Sequence, residues 1–486
     1  MSKKSQVLSN LLWRFAERIG ANIVKLVVEL VLARLLLPED YGAIALVTVF
    51  ITIMQVFVDS GMGNALIQKK DADDLDFSTV FYFNMFMCSV LYIIMFVIAP
   101  FIASFYDMPE LTSVIRVLSL VLIVSGLKNV QQAYVSRNML FKRFFFATLS
   151  GTIGAAILGI VMAYLGFGVW ALVAQMLFNT TIDTIILWIT VKWRPKKMFS
   201  IQRVKVLFSF GWKLLVSSLI DTVYTDIRQL IIGKKYSKSD LAQNNQGNKF
   251  PQFIVVNINS SIDSVLFPTM SKAQNNKEIV KNMTRRAIRT STYIMMPLMT
   301  GLAVCAEPLV RLVLTEKWLP CVFFLRLACF TYAFYPIHTA NLNAIKALGR
   351  SDLFLILEII KKSLGITVVI STMFISVEAM AIGSAGVSLL SQIINSWPNR
   401  KLLGYSYENQ LMDMLPQILL SIFMGAIVYC VQLIGLGSLI TILIQIPVGI
   451  FVYIALSKLF HIDSFDYLVA TVKGLLGRKK KKEVSE

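Results

Sequence analysis

The chain reads as an all-α integral membrane protein with about fourteen transmembrane helices and both termini in the cytoplasm. Three observations predict this. Hydrophobic residues make up 56% of 486 residues and charged residues only 15%, with a mean hydropathy of +0.68; a soluble chain is nearer a quarter charged. Apolar stretches of roughly twenty residues or more recur from end to end, each long enough for a hydrocarbon core of about 30 Å at about 1.5 Å per residue. Lysine and arginine crowd into alternate loops.

The spans fall near 11–37, 41–67, 78–105, 112–137, 144–165, 168–191, 207–233, 241–267, 287–313, 320–346, 353–375, 379–400, 414–434 and 438–461. Charges interrupt the first, so it lacks the unbroken apolar core of a cleavable signal peptide. The stretches are too long and too continuously apolar for barrel strands, which alternate over about ten residues. With the N-terminus inside, the inner loops and the C-terminal tail hold 30 Lys and Arg residues and the outer loops only Lys234, Lys235, Lys238 and Lys317. That asymmetry orients the chain and accounts for most of the +19 net charge, so nucleic acid is not an expected partner. Anionic headgroups are. In the tail, Phe465, Leu468, Val469, Val472, Leu475 and Leu476 recur at helical spacing before the basic run Arg478–Lys482, the pattern of an amphipathic helix in the cytoplasmic interface.

A weak internal repeat organises the spans. Leu12-Trp-Arg14 resembles Gly211-Trp-Lys213 at an offset of 199, and Arg137-Asn-Met-Leu-Phe141 resembles Arg350-Ser-Asp-Leu-Phe354 at an offset of 213. The expected organisation is an N-terminal six-helix half (1–200), a C-terminal six-helix half (201–405), two appended helices (406–462) and a polybasic tail (463–486). Six is even, so both halves insert the same way up, as in transporters with parallel repeats.

Charge inside a bilayer is expensive and usually functional. The spans carry thirteen cations against nine acids. At 100° per residue, Arg14, Arg18, Lys25 and Glu29 share an arc of about 60° on the first span. On the seventh, Lys213, Ser217, Asp221, Tyr224 and Arg228 share about 80°. These spans correspond between the halves, and a polar stripe cannot face lipid. A cavity between the halves is the simplest shared answer. The eighth span is the most polar, with Gln246 and Asn257 among its amides. Amides suit a hydroxylated ligand and cations suit a phosphate. The expected substrate-binding set is therefore Arg14, Arg18, Lys25, Lys213, Tyr224, Arg228, Gln246 and Asn257, and Glu29, Asp59 and Asp221 are the acids that could couple an ion. The competing reading is that these groups pair with one another and pack the bundle.

Enzyme signatures are sparse. His338 and His461 are far apart, and the five cysteines show no metal spacing. There is no Walker A sequence or dinucleotide fingerprint, and the outer loops are short. No catalytic residue, metal or cofactor is expected.

Arg34-Leu-Leu-Leu-Pro-Glu-Asp-Tyr-Gly42 closes the first span, and Val58-Asp-Ser-Gly-Met-Gly-Asn-Ala-Leu-Ile-Gln68 follows. These segments resemble the start of the bacterial polysaccharide transporters of the MOP superfamily. Gly168-Val-Trp-Ala-Leu-Val-Ala174, Leu266-Phe-Pro-Thr-Met-Ser-Lys272, Glu316-Lys-Trp-Leu-Pro320 and Leu348-Gly-Arg-Ser-Asp352 come after in the same order. Together they are most similar to the Wzx-type lipopolysaccharide, exopolysaccharide and teichuronic acid flippases. The resemblance implies translocation of an undecaprenyl-diphosphate-linked oligosaccharide from the inner to the outer leaflet of the bacterial cytoplasmic membrane. Membrane lipids, a polysaccharide polymerase and chain-length machinery are the further partners it implies. A MATE-like multidrug exporter is the alternative, although its cationic substrates favour acidic cavities. A membrane glycosyltransferase or ligase would need a catalytic loop, which the chain lacks.

The topology makes a direct prediction. Single cysteines at Asp73 and Met108 should label from opposite faces of the membrane, Asp73 from the cytoplasm. Labelling of both from outside would overturn the placement of the first three spans.

Overall fold

A computed structural model describes residues 20, 22, 24–59, 62, 63, 66, 69, 71–138 and 140–470. Among these, every regular element is a helix. In order they are α1 (24–35), α2 (Pro38–Asp59), α3 (Asp74–Phe105), α4 (Leu111–Leu118), α5 (Leu120–Arg137), α6 (Phe141–Tyr164), α7 (Val169–Thr190), α8 (Ile201–Lys235), α9 (Lys238–Lys272), α10 (Lys277–Val304), α11 (Ala306–Val313), α12 (Cys321–Ala333), α13 (Tyr335–Ala347), α14 (Ser351–Thr372), α15 (Val377–Leu402), α16 (Tyr407–Leu433) and α17 (Ser438–Leu459). Nine are long and apolar enough to cross a membrane when the broken pairs α4–α5 and α12–α13 each count as one, and ten when the bent pair α10–α11 is added. The remaining expected spans are too polar to pass on composition, as α8 and α9 are, or reach beyond the described residues, as the first does.

Two compact units divide the chain, residues 1–242 and 243–486. In the first, local sequence sets each helix start. Asp73 accepts the Asp76 amide at 2.9 Å and Asp76 answers to the Asp73 amide at 3.2 Å, a capping box that opens α3. Asp40 accepts the Leu37 amide at 3.1 Å at the head of α2, and Asp240 accepts the Ser237 amide at 3.1 Å at the head of α9. These two caps lie 200 residues apart, close to the first sequence offset. Span four of each expected half is also broken alike, α4 from α5 at Ser119 and α12 from α13 at Phe334.

One end of the first unit is tied by charge. Asp76 is fully buried and meets Lys69 at 2.5 Å and Arg203 at 3.3 Å. Trp193 packs on Phe77 and Tyr134 and donates to Asp74 at 3.2 Å. Arg194 donates to the carbonyls of Trp188 and Val191, which the end of α7 leaves open.

In the second unit α16 packs along α10 and α17 along α16, so the appended helices belong to its core. Asp413 of α16, 8% exposed, takes both Nε and Nη2 of Arg285 at 2.7 Å and the Tyr405 hydroxyl at 2.8 Å. Burial, and next the Asp413 carboxylate, push the Tyr405 hydroxyl well above its ordinary pKa, so it stays a donor. A buried amide set joins α13, α15 and α16: Asn341 and Gln410 exchange hydrogen bonds at 2.7 and 3.1 Å, and Asn399 donates to Asn341 at 2.6 Å. His338 is packed beside them, with its Nδ1 2.9 Å from Asn395. The described part of the tail, 463–470, is helical. Phe465 and Leu468 pack against the core of Tyr293, Leu420, Met424, Val428 and Tyr453. Arg289 reaches Asp463 at 2.8 Å and Arg286 stacks over Tyr467 at 4.7 Å. This first stretch of the amphipathic stripe therefore turns part of its apolar face to protein; 471–486, with the basic run, lie outside the described residues.

The buried carboxylate is testable. Arg285→Met strips Asp413 of its bidentate partner and should lower stability in detergent by about 2 kcal/mol, the loss being softened by the half-exposed position of Arg285. Adding Asp413→Met should recover part of it. Equal or greater loss in the double variant would show that the pair is not what holds α10 to α16.

Candidate functional site

The expected stripes begin on α1 and α8. Arg14 and Arg18 lie outside the described residues, as does the side chain of Lys213. Lys25 is exposed and Glu29 half-buried on α1, where the Glu29 carbonyl accepts the Tyr41 hydroxyl at 3.3 Å. On α8, Asp221 is exposed and Tyr224 and Arg228 are half-buried. Ser217, Asp221 and Thr225, one helical turn apart, are all exposed. On α9, Gln246 is 2% exposed and packed, while Asn257 is half-buried and donates back to the Phe253 carbonyl at 2.7 Å. The neighbouring Gln243 donates to the Lys317 carbonyl at 2.9 Å.

The most developed polar cluster inside the first unit was only partly foreseen. Asp59, near the end of α2, accepts Asn129 at 3.2 Å and Gln55 at 3.4 Å. Next to Asn129 on α5, Lys128 pairs with Asp183 of α7 at 3.1 Å, with both side chains mostly buried. Two glycines make room. A Cβ at Gly63 would lie 2.9 Å from Asn129 Oδ1, and one at Gly151 3.0 Å from the Asn179 carbonyl on the turn before Asp183. Asp59 is one of the acids that the sequence offers for ion coupling; Lys128 and Asp183 are among the thirteen cations and nine acids that fall inside its spans. A sequence signal existed. Asp59, Lys128 and Asp183 stand nine or ten residues from Lys69, Arg137 and Lys192, the basic residues that close their spans. On a helix that spacing places all three about 14 Å from the basic end of their expected spans. Two carboxylates and one ammonium carry one net negative charge, a set able to accept a proton or a small cation. Among the described residues no group of His, Cys, Asp and Glu is arranged to hold a metal ion.

At the opposite end from Asp76 the first unit is closed by tight contact of α2 with α8 and the α8–α9 turn. A Cβ on Gly42 would lie 2.0 Å from the Lys238 carbonyl, so only glycine permits this backbone approach, and one on Gly233 would lie 2.5 Å from the Leu46 side chain. Lys234 pairs with Asp107 at 2.9 Å, Lys238 pairs with Glu110, and Tyr106 donates to the Leu230 carbonyl at 3.4 Å.

A helical bundle with polar side chains inside apolar spans, and with a split span in each of its two units, is the architecture of a multi-pass membrane protein. Its fold is shared with a solved structure of the lipid II flippase MurJ in an inward closed conformation, which superposes with a TM-score of 0.77 at 17% identity, covering 93% of this chain and 99% of that one. An inward-facing multidrug MATE transporter of the MOP superfamily gives 0.60 at 16% identity, covering 78% and 94%. The polysaccharide biosynthesis protein family matches residues 31–323, and the chain belongs to that family. It is 25% identical to the succinoglycan biosynthesis transport protein ExoT of Rhizobium meliloti, over 64% of this chain and 63% of that relative. It is 24% identical to the teichuronic acid biosynthesis protein TuaB of Bacillus subtilis, over 72% of each. It is 22% identical to the lipopolysaccharide biosynthesis protein WzxC of Escherichia coli, over 88% and 89%.

The Lys128–Asp183 pair can be weighed by a double-mutant cycle. Lys128→Met and Asp183→Asn should each lower the thermal midpoint, and the double variant less than their sum, with a coupling of about 1–2 kcal/mol. A coupling near zero would show that the two charges act independently.

Proposed function

We propose that the chain is a flippase that carries an undecaprenyl-diphosphate-linked oligosaccharide from the inner to the outer leaflet of the bacterial cytoplasmic membrane. In this reading the chain has fourteen spans with both termini inside: two six-span halves (1–200 and 201–405), the appended pair (406–462) and the basic tail (463–486). The halves alternate access to a cationic cavity. The observation that carries the reading is the likeness to a lipid II flippase over nearly the whole of both chains, in a family whose relatives serve polysaccharide biosynthesis. The polar stripes of the first and seventh spans supply its physical basis. A diphosphate must cross a layer of low dielectric, and cations along a wet path lower that barrier. The polyprenyl tail can stay in lipid, so only the head group needs the path.

Within this reading Arg14, Arg18, Lys25, Lys213 and Arg228 meet the diphosphate, and Tyr224, Gln246 and Asn257 meet sugar hydroxyls. Glu29, Asp59 and Asp221 couple translocation to an ion, with Asp59 drawing on Lys128 and Asp183. The work is transport rather than catalysis. A polysaccharide polymerase and chain-length machinery would consume the product. A drug exporter is the competing reading, and the direct discrimination is a deletion strain: lipid-linked sugar accumulates on the inner leaflet if the chain is a flippase, and drug sensitivity changes instead if it is an exporter.

Charge neutralisation gives the residue-level test. Lys25→Gln and Arg228→Gln should reach the membrane at wild-type levels and export little glycan. Arg18→Lys should be milder, since charge is kept while the planar fork is lost. If these groups only pair structurally, folded protein will fall in step with export. Wild-type export from Arg18, Lys25, Lys213 and Arg228 each changed to Gln would rule out the cationic path.

A further inference from the structure

A proline inside a helix frees the carbonyl four residues before it, and in hydrocarbon that carbonyl must find another donor. Two such carbonyls in this chain are met by side chains from other spans. In α10, Pro297 frees the Tyr293 carbonyl, which accepts the Tyr453 hydroxyl of α17 at 2.9 Å. The Tyr293 hydroxyl in turn donates to Ser457 Oγ at 2.8 Å, and Ser457 donates to the Tyr453 carbonyl at 2.7 Å. The two rings lie 5.0 Å apart and each residue is 7% exposed. In α3, Pro100 frees the Phe96 carbonyl, which accepts Arg116 Nε of α4 at 3.2 Å while the guanidinium sits 4.2 Å over the Phe96 ring.

Pro100 and Pro297 are 197 residues apart, close to the 199 of the sequence repeat, and stand on the third span of each expected half. The donors have diverged. Arg326, on the fourth span of the second half as Arg116 is on that of the first, donates instead to the Ala303 carbonyl at 3.3 Å. That carbonyl lies at the open end of α10, just before α11 turns off by 65°. The proline carbonyl of the second unit was left for another donor, and the appended helix provides it.

We infer that Pro297 is a hinge in α10 and that the last span holds it through Tyr453. Below the proline, α10 is fixed to the appended pair by Arg285–Asp413 and by Tyr293–Ser457. Beyond it, the outer turns face Gly425 of α16, where a Cβ would lie 2.7 Å from Thr300 Cγ2. That close approach seats the outer turns on α16, so the amide missing at Pro297 is the step at which α10 can bend. The appended pair thereby sets the bend of the ninth span, a positioning role that goes beyond packing and rests on the transport reading only for one of its readouts.

The experiment uses the full chain in lipid nanodiscs, with amide hydrogen exchange over residues 293–304, and glycan export in cells. Tyr453→Phe keeps the ring and removes the donor. It should raise exchange over 293–304 by about fivefold, the factor for one neutral hydrogen bond, and reduce export several-fold. Pro297→Ala restores an amide that bonds the Tyr293 carbonyl; exchange should fall, and export should fall with it because the hinge is stiffened. The double variant should regain wild-type or slower exchange and still export poorly. Full export from the double variant would reduce Tyr453 to a brace and overturn the hinge, as would a Tyr453→Phe variant unchanged in both readouts. If Tyr453→Phe alone fails to accumulate, adding Pro297→Ala should rescue accumulation, and absence of rescue would overturn the inference. If the wild-type chain moves no lipid-linked glycan, the exchange results still decide the hinge, so the two ideas fail separately.

Discussion

The constraint on which the rest depends is that nothing polar may be left unsatisfied in hydrocarbon. Regular helices meet it for the backbone, which is why every regular element among the described residues is helical. The chain nevertheless breaks its helices repeatedly. Prolines interrupt α3, α10, α15, α16 and α17, and short breaks split α4 from α5 and α12 from α13. Side chains repair several of these interruptions at once, Arg116 at Phe96, Tyr453 at Tyr293 and Arg326 at Ala303. A protein that only had to sit in the bilayer would have no use for breaks that need repair, so they mark where the spans have to bend.

The same constraint governs the buried acids. Asp76, Asp183 and Asp413 each face a cation, and each pairing joins different helices or a helix to a loop. These pairings fix the relative placement of elements within a unit rather than add much net stability, since desolvation offsets most of the attraction. Their geometry is correspondingly specific. Asp413 accepts a two-pronged Arg285 and a tyrosine hydroxyl together, an arrangement that a simple apolar contact could not register as sharply.

Much of the architecture was legible in the sequence because its signals are local. Hydropathy locates spans, and the helix caps at Asp73, Ser376 and Ser406 rest on residues three apart. The side-chain partners were less legible because they are remote. Lys128 meets Asp183 55 residues on, Arg285 meets Asp413 128 residues on, and the Tyr293 carbonyl meets Tyr453 160 residues on. No periodicity announces such pairs. The tail illustrates a different limit. The spacing of Phe465 and Leu468 marks an apolar face correctly, but spacing alone does not say whether lipid or protein covers it, and here the core around Tyr453 does.

These pairings also sharpen what the intramembrane cations can mean. Of the thirteen, Lys128 and Lys361 are held by Asp183 and Glu358, Arg311 by Glu307 and Glu316, and Arg116 and Arg326 by backbone carbonyls. Neutralising any of these five removes a structural bond, so a loss of export there would report misfolding as readily as lost substrate contact. Three of the five lie on the split fourth spans, α4–α5 and α12–α13, and none lies on α1 or α8. A charge effect on export without a matching loss of folded protein has its proper test at Lys25 and Arg228, where the polar stripes of the two spans run.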